Sequence, residues 1–366
     1  MKNALVTGVT GQDGPYLARD LLDKGYKVFG TYRRVSTPNF WRLQSLGILN
    51  RITLIPADLT DMSSLLEAVN ISDPQEIYNL GAQSFVGNSF DNPLLTTDVD
   101  ASGTTRFLEI IRHLKKDIKF YQASTSELYG SCTSMIQDEN TAMIPNSPYA
   151  AAKLHSYNMV RIYRKSYGIF ACNGILFNHE SPLRGLEFVT RKITNSVAKI
   201  KLGLQTELKL GNLDAKRDWG FAPEFVKAMW LMMQHKQPDD FVVATGETHT
   251  VGEFAEMAFA AANLNWKDYV HVDQRLCRPL DVYQLCGNPQ KAEKELGWKP
   301  KINFPKLVNL MVEADVTRWQ RFLKGERFSW DAPNHSNEVD ILSRNVVRDS
   351  KKEAPKRIKK TSFKLF

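Results

Sequence analysis

The chain has 366 residues, 43% of them hydrophobic and 24% charged, an ordinary globular composition with room for one large α/β unit and a smaller lobe. No apolar run approaches the roughly 18 residues a membrane helix needs. Strand-like residues begin at Ala4 with no charged-then-apolar leader before them, so a cytoplasmic protein without membrane association is expected. The net charge of +8 is concentrated in residues 344–366, where nine Lys or Arg face only Asp349 and Glu353. With Phe363 and Phe366 as its only aromatics, this basic extension reads as a flexible tail rather than a nucleic-acid arm. Cys132, Cys172, Cys277 and Cys286 form no C-x-x-C pair and no metal-ligand spacing, so reduced thiols and no metal are expected.

In chain order, β-rich runs at 4–7, 27–32, 52–56, 76–80, 118–122 and 170–177 alternate with helical spacing at 16–23, 63–69, 104–114 and 149–167. That alternation implies right-handed crossovers and an α/β fold of Rossmann type, a doubly wound parallel sheet with a smaller C-terminal substrate-binding lobe. Such a sheet binds ligands beyond the carboxyl ends of its strands. Residues 1–178 are expected to form the dinucleotide domain, with a later strand at 241–245 returning to it. Residues 179–325, with helices at 249–262 and 307–322, are expected to be mainly the substrate lobe, and 326–366 the extension.

Gly8, Gly11 and Gly14, with Gln12 and Asp13 among them, follow the first strand and open the first helix in the spacing G-x-x-G-x-x-G. Glycines let the backbone turn tightly against a pyrophosphate, which the helix N-terminus then stabilises. Pro15 fits the first helical turn. The second strand ends at Tyr32, Arg33 and Arg34, where an acid would select NAD and arginine accommodates the 2′-phosphate of NADP. NADP is the expected cofactor, against a reading of these arginines as surface charge. Asp58 and Leu59, after the third strand, are placed to meet the adenine, although Asp58 or Asp61 can equally cap a helix.

Tyr149 and Lys153 stand four residues apart on one helical face. The strand before that helix ends in Thr125, Ser126 and Glu127. A phenol titrates near about 10. An ammonium about 4 Å away, at an effective dielectric of about 20, favours phenolate by roughly 4 kcal/mol. That is about 3 pKa units, enough to make tyrosine a base for an alcohol proton. Thr125 can hold the same hydroxyl. Glu127 adds a carboxylate at the strand end, able to remove a proton α to a new ketone and so permit elimination.

These residues resemble the active site of the GDP-mannose 4,6-dehydratase family within the extended short-chain dehydrogenases. The likeness continues through the stretches 79–87, 174–182, 188–192 and 211–220 and spans roughly residues 3–320. It implies conversion of GDP-D-mannose to GDP-4-keto-6-deoxy-D-mannose and water, with transient reduction of NADP. Tyr149 would take the C4 hydroxyl proton, and Glu127 the C5 proton. Ser126, where related dehydratases carry Asp, is a poor acid, so Glu127 would also serve the departing C6 hydroxyl. The resemblance further places Leu80, Gly81, Ser84, His179 and Arg184 at the cofactor together with Tyr149 and Lys153. It places Ser84, Ser126, Asn178, Val189, Lys192, Arg217, Arg278 and Asp281 at the GDP-sugar. The loop Arg33, Arg34, Val35 and Ser36 would lie at a subunit interface of a homotetramer, a dimer being the alternative. A GDP-manno-heptose dehydratase, and less closely a GDP-sugar 4-reductase or epimerase, share the scaffold.

Overall fold

The computed structural model of the protein describes residues 1–36, 39–114, 117–276, 280 and 282–326. Its centre is a seven-stranded sheet in which each strand pairs in parallel with its neighbour. The first six strands are β1 (Asn3–Thr7), β2 (Lys27–Tyr32), β3 (Thr53–Pro56), β4 (Glu76–Asn79), β5 (Lys119–Thr125) and β6 (Ala171–Leu176). The sheet runs from Asp240–Val243 through β6, β5, β4, β1 and β2 to β3. Successive side chains face opposite ways. Ala4 and Val6 thus join one fully buried cluster with Leu17, Leu21 and Phe225, while Leu5 joins another with Ile77, Phe107 and Phe120. Burial on both faces is what a parallel sheet requires.

The strand order reverses at β1, from which the chain runs out to β3 and then crosses back to β4. A crevice between the carboxyl ends of β1 and β4 follows from that switch. β5 extends to Thr125, three residues past its β-rich run at 118–122, because β6 continues the ladder through Ala123↔Gly174, Ser124↔Ile175 and Thr125↔Leu176. Gly174 makes room for this register, since a Cβ there would lie 2.2 Å from the Tyr121 hydroxyl.

Two helices of 13 residues, Val189–Lys201 and Ala222–Gln234, stand where no helix was expected. The second buries Phe225, Val226, Met229, Met232 and Met233 and packs on the helix Asp13–Asp23, on β5 and on β6. The first belongs to a separate apolar cluster with the helices Val251–Ala261 and Phe304–Leu323. At the sheet edge Asp240–Val243, the Val242 N–H donates to Glu139 at 2.7 Å and the Asp240 carbonyl accepts from Lys291 at 2.8 Å. Among the described residues no helix is long and apolar enough to cross a membrane.

Candidate active site

A cleft of about 500 Å³ opens at the carboxyl ends of β1, β4, β5 and β6. Its walls include Gly8, Gly11, Gln12, Asp13, Gly14, Arg33, Asp58, Leu59, Leu80, Gly81 and Ser84. Thr125, Ser126, Glu127, Tyr149, Lys153, Asn178, His179 and Arg184 line the same space. Val189, Lys192 and Arg217 do not line it. Val189 opens the helix Val189–Lys201, Lys192 lies in its first turn, and Arg217 donates to the Val282 carbonyl at 2.8 Å. Arg278 and Asp281 fall outside the described residues, as does the basic tail.

The first wall is a backbone cradle. Gly8 has φ of +62°, and a Cβ on it would come within 2.8 Å of the Gly81 Cα. A Cβ on Gly14 would come within 2.6 Å of the Val9 Cα. Thr7, at the end of β1, accepts the Gly81 N–H at 2.9 Å and donates to Asn79 at 2.7 Å, drawing the loop after β4 onto the glycine turn. The helix Asp13–Asp23 starts with no side-chain cap from Gln12, so its first amides remain available to an anion. Gln12 instead donates to the His179 carbonyl at 3.0 Å and accepts from Ser181 at 2.9 Å. This turn fits a dinucleotide pyrophosphate. Arg33 is exposed at the mouth. Asp58 accepts from the amide and hydroxyl of Thr60 at 2.9 and 2.8 Å, whereas Asp61 caps the helix Met62–Ser72.

The opposite wall carries the acid–base groups. The Thr125 hydroxyl accepts the Glu127 N–H at 3.2 Å, starting the short 3₁₀ turn Ser126–Tyr129 and setting Glu127 at the cleft. Gly130 ends that turn with φ of +47°, where a Cβ would strike the Ile144 carbonyl at 1.8 Å. Ser147 caps the helix Pro148–Tyr167 by accepting the Ala150 N–H at 3.1 Å, with Pro148 in the first turn. Tyr149 and Lys153 follow one turn apart, both buried, and the ammonium lies 5.9 Å from the centre of the phenol ring. Lys153 also donates to the Ala123 carbonyl at 3.1 Å.

Burial pushes the Tyr149 phenol well above its ordinary value; Asp100 and Glu127 add to this, while a hydrogen bond from Thr125 and the charge of Arg184 oppose it. Burial is the largest influence on this phenol, and spacing alone does not report it. Asp100, which sequence reasoning missed, is 2% exposed and accepts the Gln83 N–H at 2.7 Å. It had no local signal, being one acid in a helical stretch. The outer wall stacks Arg184 on Phe188 at 3.6 Å, with Phe188 edge-on to Phe85, and Glu180 pairs with Arg184 at 3.2 Å. Among the described residues no group of three or more His, Cys, Asp or Glu is placed to hold a metal.

The family model described as GDP-mannose 4,6 dehydratase matches residues 5–311. The chain is 52% identical over 325 residues to GDP-mannose 4,6 dehydratase 2 of Arabidopsis thaliana, covering 86% of this chain and 87% of that one. It is 49% identical over 338 residues to GDP-mannose 4,6 dehydratase of Homo sapiens, covering 86% and 91%. In fold it is similar to dTDP-glucose 4,6-dehydratase from Bacillus anthracis in complex with NAD, with a TM-score of 0.77 at 21% identity, over 87% and 98% of the two chains. A similar match is RMD from Pseudomonas aeruginosa complexed with NADPH, with a TM-score of 0.72 at 20% identity, over 87% and 100%.

Proposed function

The chain belongs to the GDP-mannose 4,6-dehydratase family, and from that premise we propose how its own residues carry out the reaction. It is a sugar-nucleotide hydro-lyase that converts GDP-D-mannose to GDP-4-keto-6-deoxy-D-mannose and water. The observation that carries the assignment of groups is the meeting of Glu127, Tyr149 and Lys153 with the glycine turn in one cleft.

Tyr149 acts in its ionised form, the phenolate oxygen accepting the C4 hydroxyl proton. Thr125, whose oxygen is occupied as an acceptor by the Glu127 N–H, keeps its hydroxyl proton to donate to the same oxygen. The bound nicotinamide supplies a reversible two-electron acceptor, so the cycle consumes no reductant. Glu127 takes the C5 proton, now acidified by the C4 ketone, and gives a proton to the leaving C6 hydroxyl. Ser126 binds substrate, because a hydroxyl is too weak an acid for that second task. Proton transfers of this kind contribute roughly 10²–10⁴-fold each.

Gly8, Gly11, Gln12, Asp13 and Gly14 hold the pyrophosphate turn, and Asp58 and Leu59 meet the adenine. Arg33 takes the 2′-phosphate that distinguishes NADP. Leu80, Gly81, Ser84, His179 and Arg184 surround the nicotinamide end. Asn178, Val189, Lys192 and Arg217, with Arg278 and Asp281, serve GDP. In this reading residues 1–178 and the returning strand bind the dinucleotide, and 179–325 mainly the nucleotide sugar. Residues 33–36 meet a neighbouring subunit of a homotetramer, and reduced thiols suit a cytoplasmic enzyme. Mass spectrometry of GDP-mannose incubated with pure enzyme and no added reductant tests the reaction. Loss of one water without NADPH consumption is expected; unchanged GDP-mannose, or product formed only with NADPH, would refute it.

A further inference from the structure

The short strand Asn178–Glu180 pairs in parallel with Trp219–Phe221, and its successive side chains face opposite ways. His179 meets Asp13 of the glycine turn at 2.8 Å. Glu180 is 1% exposed and accepts a hydrogen bond from the hydroxyl of Thr190, in the first turn of the helix Val189–Lys201. Its Oε2 also lies 3.2 Å from the Arg184 Nε. That contact is an ion pair without a hydrogen bond, since the Arg184 Nε has no hydrogen-bond partner. The guanidinium is held 3.6 Å from the centre of the Phe188 ring, and Arg191 donates to the Arg184 carbonyl at 2.9 Å. Two carboxylates, Asp13 and Glu180, thus face two cations, His179 and Arg184, along one wall. Asp13, His179 and Arg184 line the cleft, whereas Glu180 stands behind them.

We propose, resting on the dehydratase reading above, that Glu180 is a positioning residue acting through Arg184: its carboxylate cancels the guanidinium charge on the nicotinamide side of the cleft and so restrains a preference for the reduced cofactor. Arg184 shares the cleft with Tyr149, and its charge acts on that phenol. Hydride leaves the carbon whose hydroxyl Tyr149 deprotonates, so the ring that accepts it comes within reach of the same charge. That ring is cationic when oxidised and neutral when reduced, and an unbalanced guanidinium favours the neutral form. A cycle that returns its hydride in every turnover is slowed by a wall that holds the reduced form too well. Burial pushes the Glu180 carboxyl up, while Arg184 and then Thr190 oppose this.

Glu180→Gln keeps an acceptor for Thr190 and removes the charge. Calorimetric titrations compare NADP, NADPH and 2′,5′-ADP, the adenine half of the cofactor. The ratio of the NADP Kd to the NADPH Kd is expected to rise about tenfold, with 2′,5′-ADP binding unchanged. Glu180→Asp, which retains the charge, should keep the ratio near that of wild type. An unmoved ratio in Glu180→Gln overturns the proposal, and so does equal weakening of all three ligands, the mark of a purely structural role. If Glu180→Gln does not fold, Arg184→Met decides. With the guanidinium gone and the carboxylate left, the ratio must fall below that of wild type, and an unmoved or raised ratio overturns the proposal. Wild-type protein that removes no water from GDP-mannose defeats the dehydratase reading instead, while the affinity ratio still decides the role of Glu180.

Discussion

His179 Nε2 stands 2.8 Å from Oδ2 of Asp13, while its Nδ1 stands 2.7 Å from the Phe177 carbonyl oxygen. Both ring nitrogens thus face acceptors, and only the imidazolium donates to both. Burial works against that charge, but the Asp13 carboxylate outweighs it and holds His179 above its usual range. Burial likewise works against Asp13, and His179 holds it below the usual carboxylate range. The histidine part of this stabilisation is complete below the unfolded value of about 6.5 and is lost as pH rises through the raised folded value. The aspartate part is present above about 3.9 and is lost as pH falls through the depressed value. Thermal melts should therefore show wild type losing stability above about pH 6.5 relative to His179→Asn, with the gap between the two closing on the alkaline side. Parallel pH curves would contradict a charged pair.

The two walls of the cleft separate in kinetics. Glu127→Gln should bind NADP normally and stop product formation, with kcat down by about 10²–10⁴-fold. In heavy water it should also stop deuterium entering C5, whereas wild type carries solvent hydrogen there. Tyr149→Phe should fail earlier. No reduced-cofactor absorbance should build up when GDP-mannose is mixed with that variant, and its appearance would remove Tyr149 from the first proton transfer.

Neighbouring glycines predict unequal damage. Gly8→Ala forces a Cβ into a left-handed conformation, costing about 1–2 kcal/mol, and drives it within 2.8 Å of the Gly81 backbone. Cofactor binding by calorimetry should be lost or weakened by at least about tenfold. Gly81→Ala meets side chains first, Leu59 at 3.0 Å and the Thr7 hydroxyl at 3.2 Å, with the Gly8 backbone nitrogen at an ordinary 3.5 Å. Those side chains can shift, so a change below about tenfold in Kd is expected.

Arg33→Asp replaces a guanidinium at the cleft mouth with the charge that repels a 2′-phosphate and accepts a ribose hydroxyl. The ratio of NADP to NAD affinity should fall by about a hundredfold, taking roughly 1–2 kcal/mol from each side of the comparison. An unchanged ratio would move the selectivity elsewhere.

Much of this cleft was legible because its parts are local. Three glycines at fixed spacing, a tyrosine and lysine one helical turn apart, and a carboxylate two residues past Thr125 state their geometry in the sequence. Groups defined by distant partners were not legible. The burial of Asp100 is seen only when its π turn packs on the helix Pro148–Tyr167, and the ionisation of Tyr149 depends on burial that no spacing reports. The helix Ala222–Gln234 escaped notice because apolar residues occupy most of its circumference, leaving no clear stripe, and Pro223 reads as a breaker although it sits harmlessly in the first turn. β5 ran three residues longer than its β-rich pattern because β6 supplied the partners.

The side chains of Glu139 and Lys291 occupy the outward amide of Val242 and the outward carbonyl of Asp240. A foreign strand arriving at that border finds its docking points already taken, and an acid and a base in the way. The sheet therefore stops growing at that edge, and a second copy of the chain cannot extend it by adding a strand to Asp240–Val243.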